Sequence, residues 1–79
     1  MGMPLEEFLV ELAEILDVDE VSAAAVLAEL PEWDSLSILS VVALADEKFQ
    51  AIVSADEIRR VDTAQALFEL LRSKQGTPS

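Results

Sequence analysis

Apolar residues recur along residues 4–16 with the spacing of one buried helix face. Leu5, Phe8, Leu9, Leu12, Ile15 and Leu16 follow the i, i+3, i+4, i+7 stripe, while Glu6, Glu7, Glu11 and Glu14 fall on the other side. Pro4 suits a first helical position, so a helix is predicted over 4–16. The period is then lost. Ser22 is placed to cap a short helix over Ala23–Glu29, with Val21 and Val26 spaced as a hydrophobic staple and Pro31 as its stop. The expectation for 17–34 is a long, partly helical connection anchored to the core by Val26, Leu27 and Leu30.

A second main helix is predicted from Ser35 or Leu36 to about Phe49. Ile38, Val41, Val42, Ala45 and Phe49 form its core stripe, and Leu36, Leu39, Ser40, Ala43 and Glu47 fall toward another side. That side is unusually apolar for a solvent face. It reads either as a contact surface or as part of a helix buried nearly all round. Gln50 to Val53 is a short loop with Ile52 and Val53 expected to tuck inward. Ser54-Ala55-Asp56-Glu57 is a capping box, predicting a short helix over Ala55–Arg60. Asp62 or Thr63 then caps a last helix to about Lys74 that buries Ala64, Leu67, Leu70 and Leu71. Arg72 and Lys74 complement its dipole, and Gly76 and Pro78 end it. The fold class is therefore all-α, with one domain over 4–74, fraying from Ser73 and a disordered tail over 75–79.

Composition narrows what this fold can do. A chain of 79 residues buries only about 60% of its unfolded surface, near the lower limit for folding unaided. No apolar run approaches the ~20 residues of a membrane span, and Met1-Gly2-Met3-Pro4 has no signal-peptide character. There is no cysteine and no histidine, so disulfides, thiolate catalysis and a Ser-His-Asp triad are excluded. Cysteine absence fits a cytoplasmic protein. Asp17-Val18-Asp19-Glu20 begins like a calcium loop, but Ser22 and Ala28 stand where glycine and an acid are required.

Charge is lopsided. Sixteen acidic residues oppose five basic ones, and the first cation is Lys48. Residues 1–47 carry twelve carboxylates and no positive side chain, a field that repels nucleic acid and anionic membranes and draws in basic partner surfaces. The same charge also serves plain solubility. No base, nucleophile activator or metal cluster is present, so an enzyme is not expected.

One motif remains. Asp34-Ser35-Leu36 stands where a loop becomes the second helix, and it continues through Leu39, Val42, Asp46-Glu47 and Phe49. Val61-Asp62-Thr63 precedes the last helix. With three principal helices, a short third one and a long first loop, this pattern resembles the acyl carrier protein family from Leu5 to Leu71. The resemblance implies a small acyl-carrier-like four-helix bundle that is a monomer. It also implies a 4'-phosphopantetheine arm, attached to Ser35 by a phosphopantetheinyl transferase using coenzyme A. Acyl groups would ride on the arm as thioesters and pass between acyl-loading and acyl-processing enzymes. Asp34 resembles the acid that the transferase recognises, and Leu36 the apolar contact beside the arm. Leu39, Ser40, Ala43, Asp46 and Glu47 correspond to the partner-docking side of the second helix.

The chain departs from the family pattern in two ways. Ser37 and Ser40 occupy helix positions where many members carry acids, and Trp33 stands where a small or aliphatic residue is common. Trp33 reads as a partly buried loop aromatic or as a contact for the arm or a partner. These departures point to a dedicated carrier in a fatty-acid, polyketide or other specialised pathway. A peptidyl carrier is the close variant. A cofactor-free helical adaptor docking through Leu36–Ala43 and an acidic nucleic-acid mimic are the readings from other classes.

Overall fold

Helix α1 runs over Leu5–Leu16, α2 over Ser35–Leu44, α3 over Ala55–Arg59 and α4 over Ala64–Ser73, in a computed structural model that describes residues 3–75. Among the described residues there is no β-strand beyond two isolated bridges, so the fold is all-α. No described helix is long and apolar enough to cross a membrane.

α1 forms where its stripe predicts it. Phe8, Leu12, Ala13 and Leu16 are buried, whereas Leu5, Leu9 and Ile15 flank them half-buried. Pro4 lies just outside the helix as an extended N-cap residue, so its predicted place inside the first turn is off by one. α2 continues into a single wider turn over Ala45–Phe49, so the helical path reaches Phe49 as predicted. Gln50 closes it in the left-handed region (φ 53°, ψ 42°) and donates its N–H to the Ala45 carbonyl. The α3 capping box forms in both directions, Glu57 N–H to Ser54 Oγ at 3.1 Å and Ser54 N–H to Glu57 Oε1 at 3.0 Å. Thr63, rather than Asp62, caps α4 through the Ala66 N–H at 3.1 Å.

The core is one cluster. α1 packs on α2 and α4, and α2 on α3. At its centre three rings meet. Phe8 lies 5.9 Å from Phe49 and 5.5 Å from Phe68, and Phe49 lies 6.0 Å from Phe68. Two of the three contacts are edge-to-face, the arrangement that the ring quadrupole favours. Phe68 is a core member that the sequence pattern did not single out, and Leu70, expected to be buried, is only half-buried.

The long connection differs from expectation. Ala23–Glu29 is not an α-helix; only a 3-10 turn over Leu27–Glu29 forms. The backbone of this segment pairs instead with the start of α4. Leu27 N–H donates to the Asp62 carbonyl at 2.9 Å, Ala64 N–H to that of Ala25 at 3.0 Å, and Gln65 N–H to that of Ala23 at 2.9 Å. These bonds use carbonyls that a helix over 23–29 would need for itself. Leu27 is fully buried and Leu30 half-buried, but Val26 is exposed and is no anchor.

The C-terminal end also departs from the predicted fraying at Ser73. Ser73 Oγ donates to the Leu70 carbonyl at 2.8 Å, Lys74 Nζ pairs with Glu57 at 2.7 Å, and Gln75 bridges Ala51. Residues 76–79, including Gly76 and Pro78 as predicted terminators, lie outside the described residues.

Candidate functional site

The loop before α2 is fixed by local bonds that set the position of Ser35. Trp33 N–H donates to the Leu30 carbonyl at 3.0 Å, and the Trp33 side chain packs half-buried against the core. Asp34 is extended (φ −139°, ψ −172°) and caps the helix, its Oδ1 accepting the Ser37 N–H at 3.0 Å. The Ser37 hydroxyl points back into this turn, 2.8 Å from the Glu32 carbonyl and 3.2 Å from Asp34 Oδ1. A hydroxyl has one hydrogen to give, so the shorter contact to Glu32 is the better served.

Asp34 is held below the ordinary aspartate range, first by the Ser37 N–H and, against some desolvation, by the Ser37 hydroxyl. The carboxylate is therefore engaged with Ser37, not with Ser35. Ser35 is the first helical residue, exposed, and its hydroxyl bonds to no described residue. Its backbone N–H also lacks a protein partner, as the first donors of a helix do. The result is an accessible alcohol at the positive end of the α2 dipole, with no base touching it.

Beside Ser35 lies an exposed apolar strip. Leu36 is 74% exposed and Leu39 59%, with Ser40 and Ala43 exposed on the same side and Asp46 and Glu47 exposed at the far end. The alternative of a helix buried nearly all round does not occur. Ile52 extends the strip: expected to tuck inward, it is 85% exposed, while its neighbour Val53 is buried. A shallow groove between α2 and this loop is lined by Leu39, Val42, Ala43, Asp46, Ile52 and their neighbours. Adjacent residues of an extended segment face opposite ways, so only one of Ile52 and Val53 can enter the core.

Ser37 requires a correction. It occupies a position where the resemblance places a docking acid, but it is 6% exposed and its hydroxyl is taken up by the turn of Glu32 and Asp34. Ser40 alone keeps that reading. Ser37→Glu is accordingly expected to destabilise the fold by at least about 2 kcal/mol, because it buries a charge and breaks the Asp34–Glu32 turn. Ser40→Glu should leave the melting temperature nearly unchanged. Equal tolerance of both in thermal melts would overturn the inward placement of Ser37.

Among the described residues, no group of three or more Asp or Glu is placed to hold a metal ion. No protein-family model, curated protein or solved structure matches the chain.

Proposed function

We propose that the chain is an acyl carrier protein, folded as an acyl-carrier-like four-helix bundle, with Ser35 as the attachment point of 4'-phosphopantetheine. The observation that carries the reading is the exposed Ser35 hydroxyl at the start of α2, set between the capping Asp34 and the exposed Leu36.

The residues present fit the group. A phosphodiester on Ser35 would stand at a helix N-terminus with a free backbone N–H, where negative charge is favoured. The Ser35 side chain would need no rearrangement to accept it, since it makes no bond that must first be broken. Asp34 caps the helix through Ser37 while remaining exposed, so its carboxylate stays accessible for recognition. With no base in contact with Ser35 and no histidine or cysteine in the chain, the chemistry is supplied by the transferase and by later partner enzymes. The arm, once attached, would supply a thiol for thioester formation. Leu36, Leu39, Ala43 and Ile52 then form the apolar ground beside the arm, and Asp46 and Glu47 its charged border. The exposed strip also supports a second reading, an adaptor that docks partners there without any cofactor.

One experiment separates the two. Incubation with a phosphopantetheinyl transferase and coenzyme A is expected to add a single phosphopantetheine mass, located on Ser35 by fragmentation. Ser35→Ala should gain nothing, whereas Ser40→Ala should be modified as the parent is. No mass gain with an active transferase, or gain by Ser35→Ala, removes the carrier reading and leaves the adaptor.

A further inference from the structure

A second surface feature lies on α1. Asp17 takes the left-handed conformation (φ 59°, ψ 45°) and ends the helix. Asp17 N–H donates to the Glu14 carbonyl at 3.2 Å and Val18 N–H to the Ala13 carbonyl at 3.0 Å. This paired 5→2 and 6→1 closure turns the chain back along the last turn of the helix. It brings Val18 to the side of Ala13, and both line an open apolar groove of about 350 Å³ together with Leu9 and Val21. Val10 stands at its edge, 58% exposed.

The rim of the groove is acidic. Glu6 and Glu14 lie one turn before and one turn after Val10 on α1, and Asp19 and Glu20 line the groove from the connection. All four are exposed, and none is in the ion pair found among the described residues, which joins Lys74 to Glu57. No cation precedes Lys48 in the sequence, so the field over the groove is uncompensated by its own half of the chain.

We propose that this groove docks a basic amphipathic helix of another protein, its aliphatic side chains entering the apolar floor and its lysines or arginines meeting the rim. Charge selects this occupant. A second copy of the chain would bring a further net charge of −11 to an already acidic rim, and an anionic bilayer would be repelled in the same way. A helix laid along α1 offers apolar anchors at i, i+3, i+4 and i+7 with cations flanking them, the complement of a greasy floor between two rows of carboxylates. No residue of α2 lines the groove, so the proposal does not rest on the role of Ser35.

The test is an NMR titration of the full chain with a synthetic helical peptide carrying leucine at i, i+3, i+4 and i+7 and lysine elsewhere. Shifts are expected at Leu9, Val10, Ala13, Val18 and Val21. Val10→Gln, a substitution at an exposed site, should weaken binding about tenfold or more, because the edge of the apolar contact is lost. Ser35→Ala and Leu39→Gln should bind as the parent does. A peptide of the same composition with scrambled order should bind at least tenfold more weakly. Affinity should fall steeply toward about 1 M salt, where screening shortens to about 3 Å. Shifts confined to α2, equal binding by the scrambled peptide, insensitivity to salt, or absence of binding at low salt would each overturn the proposal. So would concentration-dependent dimerisation of the free chain that protects the same five residues.

Discussion

Phe8→Ala is expected to be the most damaging single substitution in the chain, lowering stability by about 3–5 kcal/mol. Phe8 is fully buried and is the ring that links α1 to both Phe49 and Phe68. Truncation removes its transfer free energy and leaves a cavity between helices that are held apart by the other two rings. The whole domain has little to spare. At 0.05–0.15 kcal/mol per residue, a chain of this length is stable by roughly 4–12 kcal/mol. The melting temperature should therefore fall by roughly 12–40 °C, and part of the population should be unfolded at physiological temperature. Val10→Ala, exposed on the same helix, is the matched control and should shift the melt by only a few degrees. If Phe8→Ala melts with the parent, the three rings do not form the centre of the core.

The second large effect is expected at the apolar strip beside Ser35, and it follows from the carrier reading. Leu39→Asp should slow acyl loading by the cognate enzyme about ten- to a hundred-fold, the range for losing burial of one leucine at an interface. Glu47→Lys should slow it only a few-fold, since one exposed charge contributes about 0–1 kcal/mol. Only the Glu47 effect should fade with salt, because exposed charges are screened over ~8 Å at physiological ionic strength. Leu39 is more than half exposed, so the variant should fold normally, which circular dichroism checks. Ile52 adds exposed apolar area next to Leu39, whereas Ser37 is buried and contributes nothing to this strip. Loading rates across a salt series decide the matter: normal loading of Leu39→Asp, or dominance of Glu47→Lys at every salt concentration, would make docking electrostatic.

The candidate site was legible because its parts are local. Asp34 accepts from a residue three positions on, and this N-cap relation is written in the sequence wherever an acid precedes a helical run. Leu36 falls off the Ile38–Val41–Ala45 stripe, which accounts for its exposure, whereas Ser37 in the same turn is buried. What the sequence could not reveal was the second hydrogen-bonding partner in the turn. Ser37 reaching back to the Glu32 carbonyl depends on the course of the loop that Trp33 anchors against the core, a matter of tertiary contact.

The same division runs through the whole fold. Features written in short spacings were determined by the sequence alone: the face of α1 that turns inward, the Ser54–Glu57 capping box, and a cap for α4 at Asp62 or Thr63, of which the structure takes Thr63. The caps are closed by groups three residues apart, so spacing is sufficient for them; the α1 spacing identifies the buried face, although the burial energy comes from the other elements. Three features were decided only by the tertiary structure. Residues 23–27 gave up a helix because α4 offered their carbonyls and N–H groups partners from residues 62–65, far away in sequence. Along α2 the stripe of Ile38, Val41, Ala45 and Phe49 is buried as its spacing predicts, but contact with α1 and α3 also turned Ser37 and Leu44 inward and left Val42 half-buried. In the pair Ile52–Val53 both residues are equally apolar, and only the position of the loop against the finished core sent one in and the other out.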